Sequence, residues 1–98
     1  MDFYFETLDD SSYASGTSLK GQFYTTYDRL VQVFGQPTEG PDANEDKVTC
    51  HWVIQFDDGQ IATIYDWKTY ETPMLPYSWH IGGHSAAVVD RIISAIKE

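Results

Sequence analysis

The run from Lys47 to Lys68 constrains this chain more than any other stretch. Two segments of alternating apolar and polar residues flank Asp57-Asp58-Gly59-Gln60, and such alternation marks a half-buried strand. Asp-Gly favours a two-residue hairpin turn, in which both central residues take positive φ. A β-hairpin is therefore predicted. With Asp58-Gly59 as the turn pair, Phe56 stands opposite Ile61, Ile54 opposite Thr63, Trp52 opposite Tyr65 and Cys50 opposite Trp67. That register gathers these eight residues on one face, the expected core. The other face carries Val53 opposite Ile64 and His51 opposite Asp66, with Lys68 one step further.

The flanking segments complete a small domain. Phe3 and Phe5 alternate with Tyr4 and Glu6, which predicts a strand over residues 2–8, and a second strand is expected over Ser18 to Phe23. Thr25 or Thr26 suits the N-cap of a short helix whose Tyr27, Leu30, Val31 and Phe34 recur at helical spacing, and Gly35 and Pro37 stop it. After a Pro73 to Pro76 loop, Tyr77 to Ile81 reads as a strand leading into Gly82-Gly83. Val89, Ile92, Ile93 and Ile96 then form the stripe of a last helix, with Ser85 as N-cap and Lys97 suited to its C-terminal dipole. Asp9 to Gly16 and Gln36 to Asp46 read as long loops. The predicted order is ββαβββα, an α+β fold with a mostly antiparallel sheet of about five strands and two helices on one face. At 98 residues, 42% of them hydrophobic, the chain has enough for one core, so residues 1–98 are expected to form a single domain.

Composition narrows the function classes. Fifteen Asp and Glu against six Lys and Arg give a net charge of -9, which opposes direct nucleic-acid binding, since that depends on cations at phosphates. Residues 1–46 hold nine of the acids and two of the bases. A field of this kind serves solubility, or it complements a basic partner such as a nucleic-acid-binding protein. Under the second reading the contact loop is Glu39, Asp42, Glu45 and Asp46. The single cysteine allows neither an internal disulfide nor a cysteine-based zinc site, which points to a reducing cytoplasm. No apolar run approaches the roughly 20 residues that span a bilayer, so no membrane association is expected.

One segment carries a ligand hypothesis. Gly82-Gly83-His84-Ser85 precedes a predicted helix, where free N–H groups and the dipole can hold an anion. Lys68 supplies a balancing charge there, and Tyr65, Trp67, Trp79 and His80 supply stacking surfaces for a base. A plain strand-to-helix turn beside core tryptophans accounts for the same residues. His51, His80, His84 and Asp66 are of metal-binding type, but their spacing matches no mechanistic motif. His51 with Asp66 reads more simply as a cross-strand pair. No nucleophile arrangement can be assembled, because Cys50 falls on the expected core face and Ser85 has a capping role. No cofactor is implied.

Tyr27-Asp28-Arg29-Leu30-Val31 with Phe34-Gly35-Gln36-Pro37, then Trp52 to Gly59, Thr63-Ile64-Tyr65-Asp66-Trp67-Lys68 and Trp79-His80-Ile81-Gly82-Gly83, form a pattern specific as a whole. Over about Leu19 to Lys97 it resembles a family of small, uncharacterised proteins encoded by bacteriophages. The resemblance implies a setting and brings no catalytic residues with it. It implies a non-enzymatic phage accessory protein that binds and inhibits a host factor in the bacterial cytoplasm, an anti-defence inhibitor of the anti-CRISPR kind. The alternative is a sponge for a nucleotide immune signal, and the third reading is a small metal-assisted hydrolase.

Overall fold

In the computed structural model, which describes residues 4–40, 48–69 and 71–98, five strands and two helices alternate in the predicted order. They are β1 (Phe5–Leu8), β2 (Ser18–Thr25), α1 (Tyr27–Phe34), β3 (His51–Phe56), β4 (Ile61–Tyr65), β5 (Tyr77–Gly83) and α2 (Ala87–Lys97). The strands form one antiparallel sheet in the order β1-β3-β4-β5-β2. Sequence-adjacent β3, β4 and β5 lie side by side, while α1 carries the chain from the β2 edge back to β3. Among the described residues no helix is long and apolar enough to cross a membrane.

Local chemistry sets the helix ends. Thr26 Oγ1 accepts a hydrogen bond from the Arg29 N–H at 3.0 Å, and Gly35 at φ 80 ends α1 as the sequence predicts. The start of α2 differs from expectation: Ala86 occupies the N-cap position, and Ser85 Oγ accepts from the Ala87 N–H at 3.2 Å from one residue further out. Arg29 joins the two helices. Its guanidinium donates to the Ile96 carbonyl at 2.8 and 2.5 Å and to the Glu98 carbonyl at 2.6 Å, satisfying helix-end acceptors that have no intrahelical partner.

The hairpin forms, in a different register. Gln55 pairs with Ile61, Ile54 with Ala62, Val53 with Thr63, Trp52 with Ile64 and His51 with Tyr65. The physical reason is the loop. Gly59 N–H donates to the Phe56 carbonyl and Phe56 N–H to the Gln60 carbonyl, both at 2.9 Å, so three residues, Asp57, Asp58 and Gly59, turn the chain. Only Gly59 takes positive φ in this turn, the arrangement of a type I turn closed by a glycine bulge. The extra loop residue moves Ile61, Thr63 and Tyr65 to the opposite face from Trp52, Ile54 and Phe56.

Both helices cover the face that holds Trp52, Ile54, Phe56, Ala62, Ile64, Trp79 and Ile81, and the core closes with Leu30 and Phe34 from α1 and Val88, Ile92 and Ile96 from α2. Trp52 meets Trp79 edge-on at 5.7 Å and Tyr27 at 5.7 Å, and its Nε1 donates to the Gly35 carbonyl at 2.9 Å. At the hairpin tip, Arg91 of α2 grips Asp58 through two 2.9 Å hydrogen bonds and lies over the Phe56 ring. This contact holds the Asp58 carboxyl below its ordinary pKa. Asp57 and Asp58 do sit in the turn, as expected.

Gly82 and Gly83 lie inside β5, paired to β2 on one side and β4 on the other, and therefore form no anion-binding turn. Their backbone groups belong to two ladders. What requires glycine here is close packing: a Cβ on Gly83 would stand 2.6 Å from Val88 Cγ2 and 3.1 Å from the Ile61 carbonyl oxygen. Gly83→Ala should cost about 1–3 kcal/mol by pushing α2 off the sheet, read as a lowered urea midpoint. Unchanged stability would show that the helix does not seat there.

Candidate functional site

The sheet face away from the helices carries the candidate surfaces. A single 3₁₀ turn, Ser11–Ala14, lies against β3 and β4 on it, inside the segment read from sequence as a loop. Asp10 caps this turn, accepting from the Ser12 N–H at 2.9 Å. Val53 and Thr63 are buried although they face away from the helices. The turn separates two concavities.

Toward β1, a cleft of about 440 Å³ is bordered by Glu6, Asp9, Tyr13 and Gln55. It adjoins a second hollow of about 400 Å³ at Tyr4, Glu6 and Asp57. Tyr4 is 80% and Tyr13 53% exposed. Glu6, Asp9 and Asp57 are exposed as well. Among the described residues the one ion pair is Arg91 with Asp58, and Arg29 is committed to the end of α2, so neither arginine neutralises Glu6 or Asp9. The product is an acidic groove rimmed by tyrosines. Of the loop acids predicted to bind a partner, Asp42, Glu45 and Asp46 lie outside the described residues. Glu39 is bound through its backbone, exchanging hydrogen bonds of 3.1 and 2.9 Å with His51. Glu6, Asp9 and Tyr13 were not singled out by their sequence context. The excess of acids in the first 46 residues was the available signal.

On the other side of the turn, a concavity of about 270 Å³ is lined by Ser18, His51, Thr63, Tyr65 and Trp67, among others. The structure thus brings together part of the predicted ligand set. His80 stacks on Tyr65 at 5.4 Å, and Lys68 follows Trp67 with its Nζ 6.0 Å from the indole centroid. Trp79 does not join them. It is 1% exposed and belongs to the helix-side core. His84 is exposed and sits beside Gly16, where a Cβ would come within 3.3 Å of its ring, and Ser85 is spent on the start of α2.

The expected His51–Asp66 pair does not form, because the observed register puts His51 opposite Tyr65. Asp66 is instead fully buried. Its carboxylate accepts from Thr49 N–H (2.8 Å), Thr49 Oγ1 (2.5 Å), Cys50 N–H (3.2 Å) and Thr69 Oγ1 (2.5 Å). The Thr72 hydroxyl extends the chain to Thr49 Oγ1 at 2.6 Å. With its lone pairs so occupied, the carboxylate ties both ends of the hairpin and the following loop together. Among the described residues no group of three or more His, Cys, Asp or Glu is arranged to hold a metal ion.

Cys50 is buried beside this knot, and burial first, then the Asp66 charge, pushes its thiol from 9.0 up to about 12. The thiolate needed for nucleophilic chemistry is thereby suppressed. Above pH 9 the unfolded chain loses this proton and the folded chain keeps it, so stability falls as pH rises toward 12. The fall should be about 1.4 kcal/mol per pH unit for this group. Denaturation series on wild type and Cys50→Ala should show a shallower alkaline decline in the variant. Parallel declines would place the thiol in contact with water.

Neither a protein-family model, nor a curated protein, nor a solved structure matches this chain.

Proposed function

We propose that this chain is a non-enzymatic, phage-encoded protein that binds a basic surface of a host factor and inhibits it, with a nucleic-acid-binding defence effector as the target and the host cytoplasm as the setting. The observation that carries this reading is the acidic groove at the β1 edge. Glu6, Asp9 and Asp57 are exposed there between Tyr4 and Tyr13. Aromatic anchors within a charged rim are what protein interfaces favour, and a net charge of -9 speeds encounter with a cationic partner. Because Glu6 and Asp9 are exposed and outside the core, reversing them leaves the domain folded.

The test is a plating assay. Hosts carrying an active nucleic-acid-targeting defence are transformed with wild type or with the Glu6→Lys, Asp9→Lys double variant and challenged with a sensitive phage. Wild type should restore plating, and the folded double variant should lose at least about tenfold of that effect, since like charges facing across an interface cost several kcal/mol. Equal protection by both proteins would remove the groove from the mechanism.

A further inference from the structure

The sheet ends in one long unpaired edge, and we infer that two copies of this chain join through it, β2 against β2, into a dimer with one continuous antiparallel sheet. β2 stands last in the order β1-β3-β4-β5-β2, and among the described residues β5 is its one strand neighbour. A row of backbone N–H and C=O groups therefore faces outward along Ser18–Thr25, a template for another strand. Short edge strands, prolines and repeated charges are the usual guards against such pairing. The β1 edge is guarded in this way, with four residues and Glu6. β2 is the longest strand of the sheet and holds no proline, no acid and a single lysine.

The one irregularity of β2 makes this edge complementary to itself. Its register against β5 slips at Lys20, so that Leu19 pairs with Gly82 and Gly21 with Ile81. Gly21 and Phe23, opposite the core residues Ile81 and Trp79, face the helices, while Leu19, Gln22 and Tyr24 share the open face. A two-fold axis through Gln22, with Lys20 left outside the pairing, sets Gln22 opposite its own counterpart. Gly21 then meets Phe23 of the second copy, Leu19 meets Tyr24 and Ser18 meets Thr25, each pair on one face as antiparallel neighbours require. On the open face Leu19 and Tyr24, 53% and 69% exposed, cover each other at both ends of the axis. On the helix face the half-buried Phe23 ring lies over a glycine, which leaves it room. Val89 borders this edge too, 3.0 Å from where a Gly21 Cβ would stand, and half-buried Ile93 follows it one turn along α2. A net charge of -9 on each copy opposes association, but none of the acids lies within β2, and Glu6 and Asp9 are at the opposite edge. The dimer is therefore weakest at low salt and tightens as salt screens the repulsion. It carries an acidic groove at each outer end, and it does not depend on what those grooves bind.

The test measures the mass of the full chain by sedimentation velocity over a rising concentration series, at low and at high salt. The 11.2 kDa monomer should give way to a dimer, and the dissociation constant should fall as salt rises. Tyr24→Lys keeps the fold, since the side chain is exposed, and a melting curve checks this. It should weaken the dimer about tenfold or more, because the two-fold axis counts the lost contact with Leu19 twice. Oxidative crosslinking reads the register. Residues directly opposite in an antiparallel pair have Cα atoms about 4.5–5.5 Å apart, within disulfide reach. Gln22→Cys should crosslink to itself, and Leu19→Cys should crosslink to Tyr24→Cys in a mixture faster than either does alone. Tyr4→Cys, exposed at the opposite edge, gives the background rate, and Cys50 is buried. A monomer at every concentration and salt would overturn the inference, as would a dimer indifferent to Tyr24→Lys or Gln22→Cys crosslinking no faster than Tyr4→Cys.

Discussion

Trp52→Ala should lower the unfolding free energy by about 3–5 kcal/mol, the cost of truncating a buried aromatic. Trp52 is fully buried and bridges the two layers. Its ring meets Tyr27 and Trp79, and its Nε1 satisfies the Gly35 carbonyl where α1 ends. Truncation removes all of these at once and leaves that carbonyl without its donor. For a domain of this size each kcal/mol moves the melting temperature by roughly 4–8 °C, so the variant should melt well below wild type or not fold at all. A near-wild-type melting curve would show that the helices do not pack on this face.

Asp66→Ala should cost about 3 kcal/mol or more. The carboxylate accepts from two backbone N–H groups and two threonine hydroxyls, and each buried donor left unpaired costs about 1–3 kcal/mol, with incomplete additivity. Asp66→Asn separates shape from acceptor capacity, because its amide places a donor where a donor already points. It should destabilise as well, though less than alanine. If both variants kept wild-type stability, the buried carboxylate would need a role other than tying the hairpin ends together.

These two residues show how much was legible in the sequence. Trp52 was readable as core because it sits in phase with Ile54 and Phe56, with the polar His51 and Gln55 on the opposite phase. Asp66 was not, because its role depends on register. Asp-Gly is compatible with both a two-residue and a three-residue loop, and one added residue turns every β4 side chain to the other face. The same slip took Tyr65 out of the expected core and placed it beside His80 on the open face. Gly82-Gly83 misled for a related reason. Glycine marks turns, but it also marks close approach, and only the seating of α2 on β5 distinguishes the two. The 3₁₀ turn gave no periodic signal at four residues, so the division of the open face into two hollows was invisible beforehand. The acidic bias of the first half was plain. Its concentration at the β1 edge depended on β1 joining β3, a long-range pairing that local patterns do not specify.

The proposed function requires recognition of a basic host protein through the groove at Glu6, Asp9 and Tyr13. The most direct measurement is quantitative mass spectrometry of host proteins retained by the tagged chain, compared with its Glu6→Lys, Asp9→Lys variant, through a rising salt series. One basic host protein should be enriched by wild type, released progressively as salt screens the contact, and depleted at least about tenfold on the variant. Equal retention of that protein by the variant, or release that ignores salt, would rule out recognition through this groove.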